Sequence, residues 1–117
     1  MLFLQYPPCS TCQKAKKWLD NHGISYTDRH IKEQNPTYEE LEAWYRRSGL
    51  PLKKFFNTSG LLYKSLNLKD RLPTMTEQEQ LQLLASDGML VKRPIIVTDD
   101  GKVLTGFKET DGSSLLK

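Results

Sequence analysis

The chain has two cysteines, Cys9 and Cys12, with two residues between them in the stretch QYPPCSTCQKAKKWLDNHG. Thiols at this spacing can form a reversible disulfide, supply half of a metal site, or act as a structural crosslink. A structural crosslink is disfavoured in a cytoplasmic protein, and it would close only a very small loop. A closed zinc site needs four ligands, and the other nitrogen ligands, His22 and His30, lack zinc-finger spacing. The favoured interpretation is a redox pair, and no metal site is predicted.

The cysteines lie between a predicted strand and a predicted helix. The segment LFLQY is short, apolar and stopped by two prolines, as a buried strand should be. Ser10 and Gln13 fit the capping-box pattern, and apolar residues then recur at helical spacing until Gly23. The pattern therefore places Cys9 just before the first turn of a helix and Cys12 inside that turn.

A helix start gives these two thiols different chemistry. Its unpaired amide groups and its dipole stabilise an anion, so the pKa of Cys9 should fall below the usual value of about 8.5. The Cys9 thiolate is then the nucleophile, and Cys12 can attack the resulting adduct and release the product. A CxxC between a strand and a helix of a βαβ unit is more specific for this chemistry than a CxxC alone.

A second candidate segment, Lys92, Arg93 and Pro94, comes just before a predicted strand. Proline is allowed at the first residue of a strand, so Pro94 can simply mark where the strand begins. The alternative is a cis peptide that brings this turn beside the cysteine loop. Since only about 5–6% of X–Pro bonds are cis, the residues alone leave this open. Arg93 would then offer a fixed positive charge and a planar set of donors to an oxyanion or a thiolate.

The remaining elements predict an α/β protein. Thr37 with Glu40, and Thr76 with Glu79, form capping-box patterns at two further helices. The segment ISYTDRHI is predicted to form a second strand, and LPLKKFFNTSG and LLYKSLNL to form short helical pieces. A hairpin is predicted over RPIIVTDDGKVLTGF, and a tail with one helical turn over DGSSLLK. The order predicts a right-handed βαβ unit, helices, and a closing hairpin in a four-stranded mixed sheet flanked by helices.

Length and charge limit the classes of function. A chain of 117 residues is expected to form one domain, residues 1–117, and to be monomeric. The formal charge of +3 lies mostly in lysine and arginine clusters of the first half, which favours anionic substrates over direct nucleic-acid binding. No run approaches 18 apolar residues, so no membrane span is predicted. The N-terminus has no basic region before its apolar run, and a cytoplasmic location is expected.

Three segments together resemble a known family. YPPCSTCQKAKKWLDNHG, the helical middle ending in YKSLNL, and LVKRPIIVTDDGKVLTGF are similar to the arsenate reductase (ArsC)/Spx family over residues 2–116. The resemblance implies a thioredoxin-like fold with a helical insertion between the βαβ unit and the hairpin. It also implies a cis Pro94, Cys9 as the nucleophile and Arg93 as an anion-binding residue, with Ser10, Thr11 and Lys92 as further substrate- or anion-binding neighbours.

The family has two activities, and the resemblance leaves a choice between them. Its arsenate reductases use glutathione with glutaredoxin, or thioredoxin, as an external reductant and need no bound cofactor. Spx proteins are instead redox-sensing regulators that bind the C-terminal domain of the RNA polymerase α subunit. Asn57 and Gly106 stand where two oxyanion-binding arginines are expected, and Lys53, Lys54 or Lys92 are the residues that could compensate. We therefore predict a thiol-disulfide redox protein that could reduce arsenate, with an Spx-like regulator as the alternative.

Overall fold

The computed structural model describes residues 1–108, and the helical turn predicted in DGSSLLK lies outside them. Within this range four strands form one mixed sheet in the order β2-β1-β3-β4. Strand β1 pairs in parallel with β2 and antiparallel with β3, and β3 pairs antiparallel with β4. This is the predicted sheet of an α/β thioredoxin-like protein. The bounds of the four strands in chain order are Leu2–Gln5, Thr27–His30, Ile95–Val97 and Val103–Thr105.

Helix α1 provides the crossover between the two parallel strands, and the other helices lie between β2 and β3. The bounds of α1 to α5 are Ser10–Asn21, Tyr38–Ser48, Leu61–Ser65, Leu68–Arg71 and Glu77–Ser86. Three turns of 3₁₀-helix accompany them at Leu52–Phe55, Leu72–Thr74 and Gly88–Leu90. The predicted helical insertion between the βαβ unit and the hairpin is therefore confirmed. None of the helices in the described range has the length and apolar character needed to cross a membrane.

The two faces of the sheet are covered by different helices. Phe3 and Ile96 face α1, where Ala15 and Leu19 are fully buried against them. Leu4 is the next residue along β1, and its side chain points to the opposite face because successive strand residues alternate. That face packs on the helical insertion, with a core that includes Leu41, Trp44, Phe55, Phe56, Leu68, Leu81, Leu84 and Ile95. The sheet is thus enclosed on both sides, and the cysteine loop lies where β1 passes into α1.

Helices α2 and α5 begin as their sequences predict. Thr37 accepts a hydrogen bond from the Glu40 amide at 3.2 Å, and the Glu40 carboxylate accepts one from the Thr37 amide at 3.0 Å. The same reciprocal pair joins Thr76 and Glu79 in α5. Glu40 is also bound by Arg29, with contacts of 2.7 and 2.9 Å, which ties the start of α2 to β2.

Strand β2 is shorter than the sequence predicts. The alternating pattern covers residues 24–31, but the strand extends only over Thr27–His30. Ile24 instead donates its amide to Leu19 at the end of α1, and Tyr26 packs edge-on against Phe3. These residues belong to the turn that follows the helix, so their apolar side chains reflect packing on α1 and not membership of the strand.

Candidate active site

Cys9 is the residue that begins α1. Its backbone is extended, its amide donates to the carbonyl of Tyr6 at 2.9 Å, and its carbonyl accepts from the Gln13 amide at 3.0 Å. No side chain caps this helix, so the predicted capping box of Ser10 and Gln13 is wrong. The Gln13 side chain donates instead to the Pro7 carbonyl at 2.9 Å. The amide groups of the first turn are therefore not occupied by a capping side chain.

The two thiols have very different surroundings. Cys9 is half-buried and Cys12 is fully buried, with its sulfur accepting a hydrogen bond from the Tyr6 amide at 3.4 Å. Burial alone would raise the pKa of Cys9, but the backbone and thiol of Cys12, together with Arg93, outweigh it and lower that pKa. Burial raises the pKa of Cys12 to about 12, and the neighbouring Cys9 contributes to this rise. The pair therefore consists of one acidic, accessible thiol and one protonated, buried thiol.

Arg93 lies beside Cys9, although the two are far apart in the chain. The peptide bond between Arg93 and Pro94 is cis, as the resemblance implies. The guanidinium lies over the ring of Tyr6, 4.9 Å from its centroid, and Nη1 contacts the sulfur of Met89 at 3.8 Å. Its Nε atom is buried with no hydrogen-bond partner in the described part of the chain. A cation held by an aromatic ring and a thioether keeps its charge available to the Cys9 sulfur.

Sequence reasoning misses the roles of Tyr6 and Met89. The pattern places Tyr6 only in the first strand and gives Met89 no role in the site. Tyr6 contributes to both halves of the site, since its amide contacts Cys12 while its ring supports Arg93. A signal for Tyr6 was available, because an aromatic residue immediately before the loop of a CxxC is placed to contact it. No comparable signal in the sequence indicates Met89.

Beside the cysteine loop runs a groove of about 940 Å³, which we call the basic groove. Thr11 and Lys92 both line it, whereas Ser10 and Pro94 do not. Ser10 is exposed on the first turn of α1, and Pro94 is buried at the start of β3. Among residues 1–108 the lining consists of Thr11, Ser48, Leu50, Pro51, Lys53, Lys54, Phe56, Thr58, Lys92, Val103, Leu104, Thr105, Gly106, Phe107 and Lys108.

The groove shows what occupies the positions of the two expected arginines. Gly106 has a φ of +74°, and a Cβ placed there would lie 3.2 Å from Cε of Lys92. The Lys92 side chain thus passes across the site from which an arginine at position 106 would project. The side chain of Asn57 lies against Gly60, 2.7 Å from where a Cβ would be, and is not part of the groove lining. Lys92 is therefore the cation beside position 106, whereas position 57 presents an amide that lies against Gly60.

The two histidines make ring and backbone contacts, and the ring of His30 packs edge-on against Tyr6 with 5.7 Å between ring centroids. The ring of His22 stacks on Trp18 at the end of α1, and His30 accepts from the amides of Lys32 and Glu33. Among residues 1–108 no group of three or more histidine, cysteine or acidic side chains comes close enough to hold a metal ion. The site within this range combines the two thiols and Arg93 with the supporting residues Tyr6 and Met89, beside the lysines of the basic groove.

Comparisons with known proteins identify the family of this chain. The model of the ArsC family matches residues 4–113. A relative from Bacillus subtilis, the uncharacterized protein YusI, is 61% identical over 93% of this chain and 92% of its own length. The regulatory protein MgsR of Bacillus subtilis is 35% identical over 92% of this chain and 82% of its own. The global transcriptional regulator Spx of Staphylococcus epidermidis is 31% identical over 90% of this chain and 78% of its own.

Solved structures show the same fold. An ArsC-family-related protein from Bacteroides fragilis has a TM-score of 0.94 and 62% identity, covering 97% of this chain and 95% of its own. An arsenate reductase from Vibrio cholerae has a TM-score of 0.80 and 28% identity, covering 89% of this chain and 86% of its own. Relatives of this chain thus include both a reductase and transcriptional regulators.

Proposed function

Since the chain belongs to the ArsC family, we propose that it is a thiol-disulfide oxidoreductase in which Cys9 is the nucleophile and Cys12 the resolving thiol. The observation that carries this proposal is the asymmetry of the pair: the pKa of Cys9 is lowered, while burial and the neighbouring Cys9 raise the pKa of Cys12 to about 12. Two equivalent thiols would compete to attack, whereas this arrangement assigns the first step to Cys9.

The reaction has two displacement steps. The Cys9 thiolate attacks one sulfur of a substrate disulfide, a new S–S bond forms, and the other sulfur leaves as a thiolate. Cys12 then loses its proton and attacks the Cys9 sulfur, which releases the second substrate sulfur as a thiolate and leaves a Cys9–Cys12 disulfide. The substrate gains two electrons, and the enzyme is oxidised by the same two. An external thiol system, either glutathione with glutaredoxin or thioredoxin, resets the pair, and no bound cofactor is needed.

The first step prepares the second. The charge of Cys9 and its hydrogen bond to Cys12 both raise the pKa of Cys12. When Cys9 enters a mixed disulfide, that charge disappears, so the pKa of Cys12 falls while Arg93 continues to lower it. Burial, the largest cause of the raised pKa, remains in the adduct, so loss of the Cys9 charge makes Cys12 a better nucleophile in the second step than in the first.

Arsenate is a second substrate to test. Arg93 supplies one cation beside Cys9, and Lys92 lies where another arginine is expected. Lysine is a point charge and not a planar pair of donors, so we expect a multiply charged oxyanion to bind more weakly than it does to three arginines. Thr11 at the groove and Ser10 on the first turn, with Pro94 behind Arg93, complete the proposed binding neighbours.

A redox-sensing regulator is the second candidate function. It is favoured by the identity of this chain with MgsR and Spx, which are named as regulators. In this role the Cys9–Cys12 disulfide would report oxidation, and the protein would act in the cytoplasm by binding the C-terminal domain of the RNA polymerase α subunit. The same thiol asymmetry serves both functions, because a sensor also needs one reactive and one resolving thiol.

The deciding experiment is an NADPH-coupled assay of the reduced protein with a small disulfide, and separately with arsenate, in the presence of either reductant system. We expect turnover that Cys9→Ser abolishes, while Cys12→Ser stops at a mixed disulfide detectable by mass. A Cys9 alkylation profile whose midpoint is no lower than that of a free thiol would overturn the mechanism. Absence of turnover, together with rapid disulfide formation and capture of the polymerase domain, would select the regulator.

A further inference from the structure

The basic groove runs along the edge of the sheet and not across one of its faces. Strand residues alternate between the two faces, yet Val103, Leu104 and Thr105 all line the groove. Val103 packs in the core on the insertion side, and Leu104 packs toward α1. Because residues of both faces line it, the groove reaches the backbone edge of β4, which is the last strand of the sheet.

Within residues 1–108, some backbone groups of this edge have no hydrogen-bond partner. The amide of Thr98 donates to the carbonyl of Lys102 at 2.9 Å, and the amide of Gly106 donates to the carbonyl of Pro94 at 2.8 Å. These two bonds show which residue pairs of the hairpin are hydrogen-bonded, because hydrogen-bonded and non-hydrogen-bonded pairs alternate along it. In this register Leu104 points its amide and carbonyl toward β3. The amides and carbonyls of Val103 and Thr105 then point away from β3, and no residue in the range 1–108 forms a hydrogen bond with them.

The charges of the groove define what can pair there. Among residues 1–108, Lys53, Lys54 and Lys92 line it, no acidic residue lines it, and none of these three lysines forms an ion pair. Leu50 and Phe107 give the same groove apolar surface. A second copy of this basic chain would bring lysines against lysines, a standard way of keeping sheet edges apart. The complementary occupant is an extended segment that carries negative charge.

We propose that the edge of β4 and the lysines of the basic groove form a docking site for an extended acidic segment of a partner protein, which adds to the sheet as a fifth strand. The backbone groups of Val103 and Thr105 supply its hydrogen bonds, and Lys53, Lys54 and Lys92 bind its carboxylates. Because Thr11 lines the groove, a docked segment lies beside the cysteine loop. The site goes beyond the proposed thiol chemistry and does not depend on it.

The test uses the full reduced chain and a short blocked peptide in which glutamate alternates with valine, followed by NMR of the backbone amides. We expect saturable binding that weakens with added salt and slows hydrogen exchange at Val103 and Thr105. Two control peptides isolate the two kinds of contact: one is N-methylated on alternate residues so that it cannot pair with an edge, and one carries lysine in place of glutamate. Neither should bind.

Matched charge reversals locate the site. The double variant Lys53→Glu with Lys54→Glu should bind the acidic peptide about tenfold more weakly or worse, since it places like charges in the groove. The double variant Lys64→Glu with Lys69→Glu changes the net charge equally at exposed positions outside the groove and should bind as the unmodified chain does. Equal binding by the N-methylated peptide or by an oligonucleotide, no protection at Val103 and Thr105, or no binding at all would overturn the proposal. The reduced protein and the glutamate–valine peptide contain no disulfide. The binding result therefore stands even if the protein does not carry out the proposed thiol reaction.

Discussion

Helices α2 and α5 begin differently from α1. Threonine and glutamate close a reciprocal cap at the start of both α2 and α5, and each helix also has two acidic residues in its first turn. Helix α1 carries a similar hydroxyl-x-x-amide pattern at Ser10 and Gln13, but begins at Cys9 with no side-chain cap and no acidic residue in its first turn. Side-chain caps stabilise the N-termini of α2 and α5, whereas the first-turn amides of α1 remain available to the Cys9 sulfur.

The difference shows what a reactive helix start requires. A capping side chain would occupy the amide groups that lower the pKa of Cys9, and an acidic residue would repel the thiolate. Without a side-chain cap, the start of α1 is less stable by about 1 kcal/mol. A side-chain oxygen at position 9 could recover a large fraction of this free energy. The chain therefore keeps a less stable helix start at the position of the proposed thiol chemistry.

The strongest way to break this contrast is Cys9→Asp, which converts the reactive start into a capped one. We expect thiol exchange to be lost completely, while the free energy of unfolding rises by about 1 kcal/mol because the carboxylate binds the first-turn amides. Denaturant unfolding of the reduced protein measures the gain. Cys9→Ala, which removes the thiol without adding a cap, is the control, and an aspartate variant no more stable than the alanine variant would contradict the assignment of Cys9 as the capping position.

Cys12 gives the first turn of α1 an alkaline sensitivity. Its pKa is raised to about 12 by burial, so between about pH 9 and pH 12 the unfolded chain loses this proton while the native chain keeps it. Below about pH 9 this group leaves the free energy of unfolding unchanged. Above about pH 9 the free energy of unfolding falls by roughly 1.4 kcal/mol per pH unit, the effect of one proton. Unfolding midpoints at several pH values measure the slope.

The control for that slope is Cys12→Ala, which removes the titrating group but keeps a small apolar side chain. Between about pH 9 and pH 12 its free energy of unfolding should fall less steeply with pH than that of the unmodified protein. The difference should be roughly 1.4 kcal/mol per pH unit, the contribution of one proton. Equal slopes in the two proteins would mean that Cys12 is not the buried group that titrates.

The capped helices should respond to loss of their caps and leave the thiols unchanged. We expect Thr37→Ala and Thr76→Ala each to lower the free energy of unfolding by about 1 kcal/mol, because each removes the acceptor for an N3 amide. The pH profile of Cys9 alkylation, measured on the same variants, should not move. A shift in that profile would show that the helix starts are coupled.

The smallest effect is expected for Gln13→Ala. A capping role would make this change as costly as loss of a threonine cap, but Gln13 only holds the exposed Pro7 carbonyl. We therefore expect a loss of about 0.5 kcal/mol or less in unfolding free energy. A loss equal to that of Thr76→Ala would restore the capping box that the sequence predicts for α1.

The caps also show how far the sequence could be interpreted. The caps at Thr37 and Thr76 are predicted correctly because a capping box involves only four consecutive residues. The same pattern fails at Ser10, where the amide of Cys9 bonds to Tyr6 and the helix starts one residue earlier. A one-residue shift of a helix start depends on the preceding loop, and a pattern of four residues does not contain that information.

The sequence by itself determined the elements and much of their order: the strand before the cysteines, the two capped helices, the hairpin and the position of Cys9 at a helix start. These follow from local rules of periodicity, capping and turn chemistry, which act over a few residues. Only the tertiary structure decided that Cys12 is buried, that Tyr6 and Met89 hold Arg93 beside Cys9, and that the Lys92 side chain lies against Gly106 just after β4. Burial and the approach of charges from distant segments set the pKa values of the thiols, and both depend on how the whole chain packs.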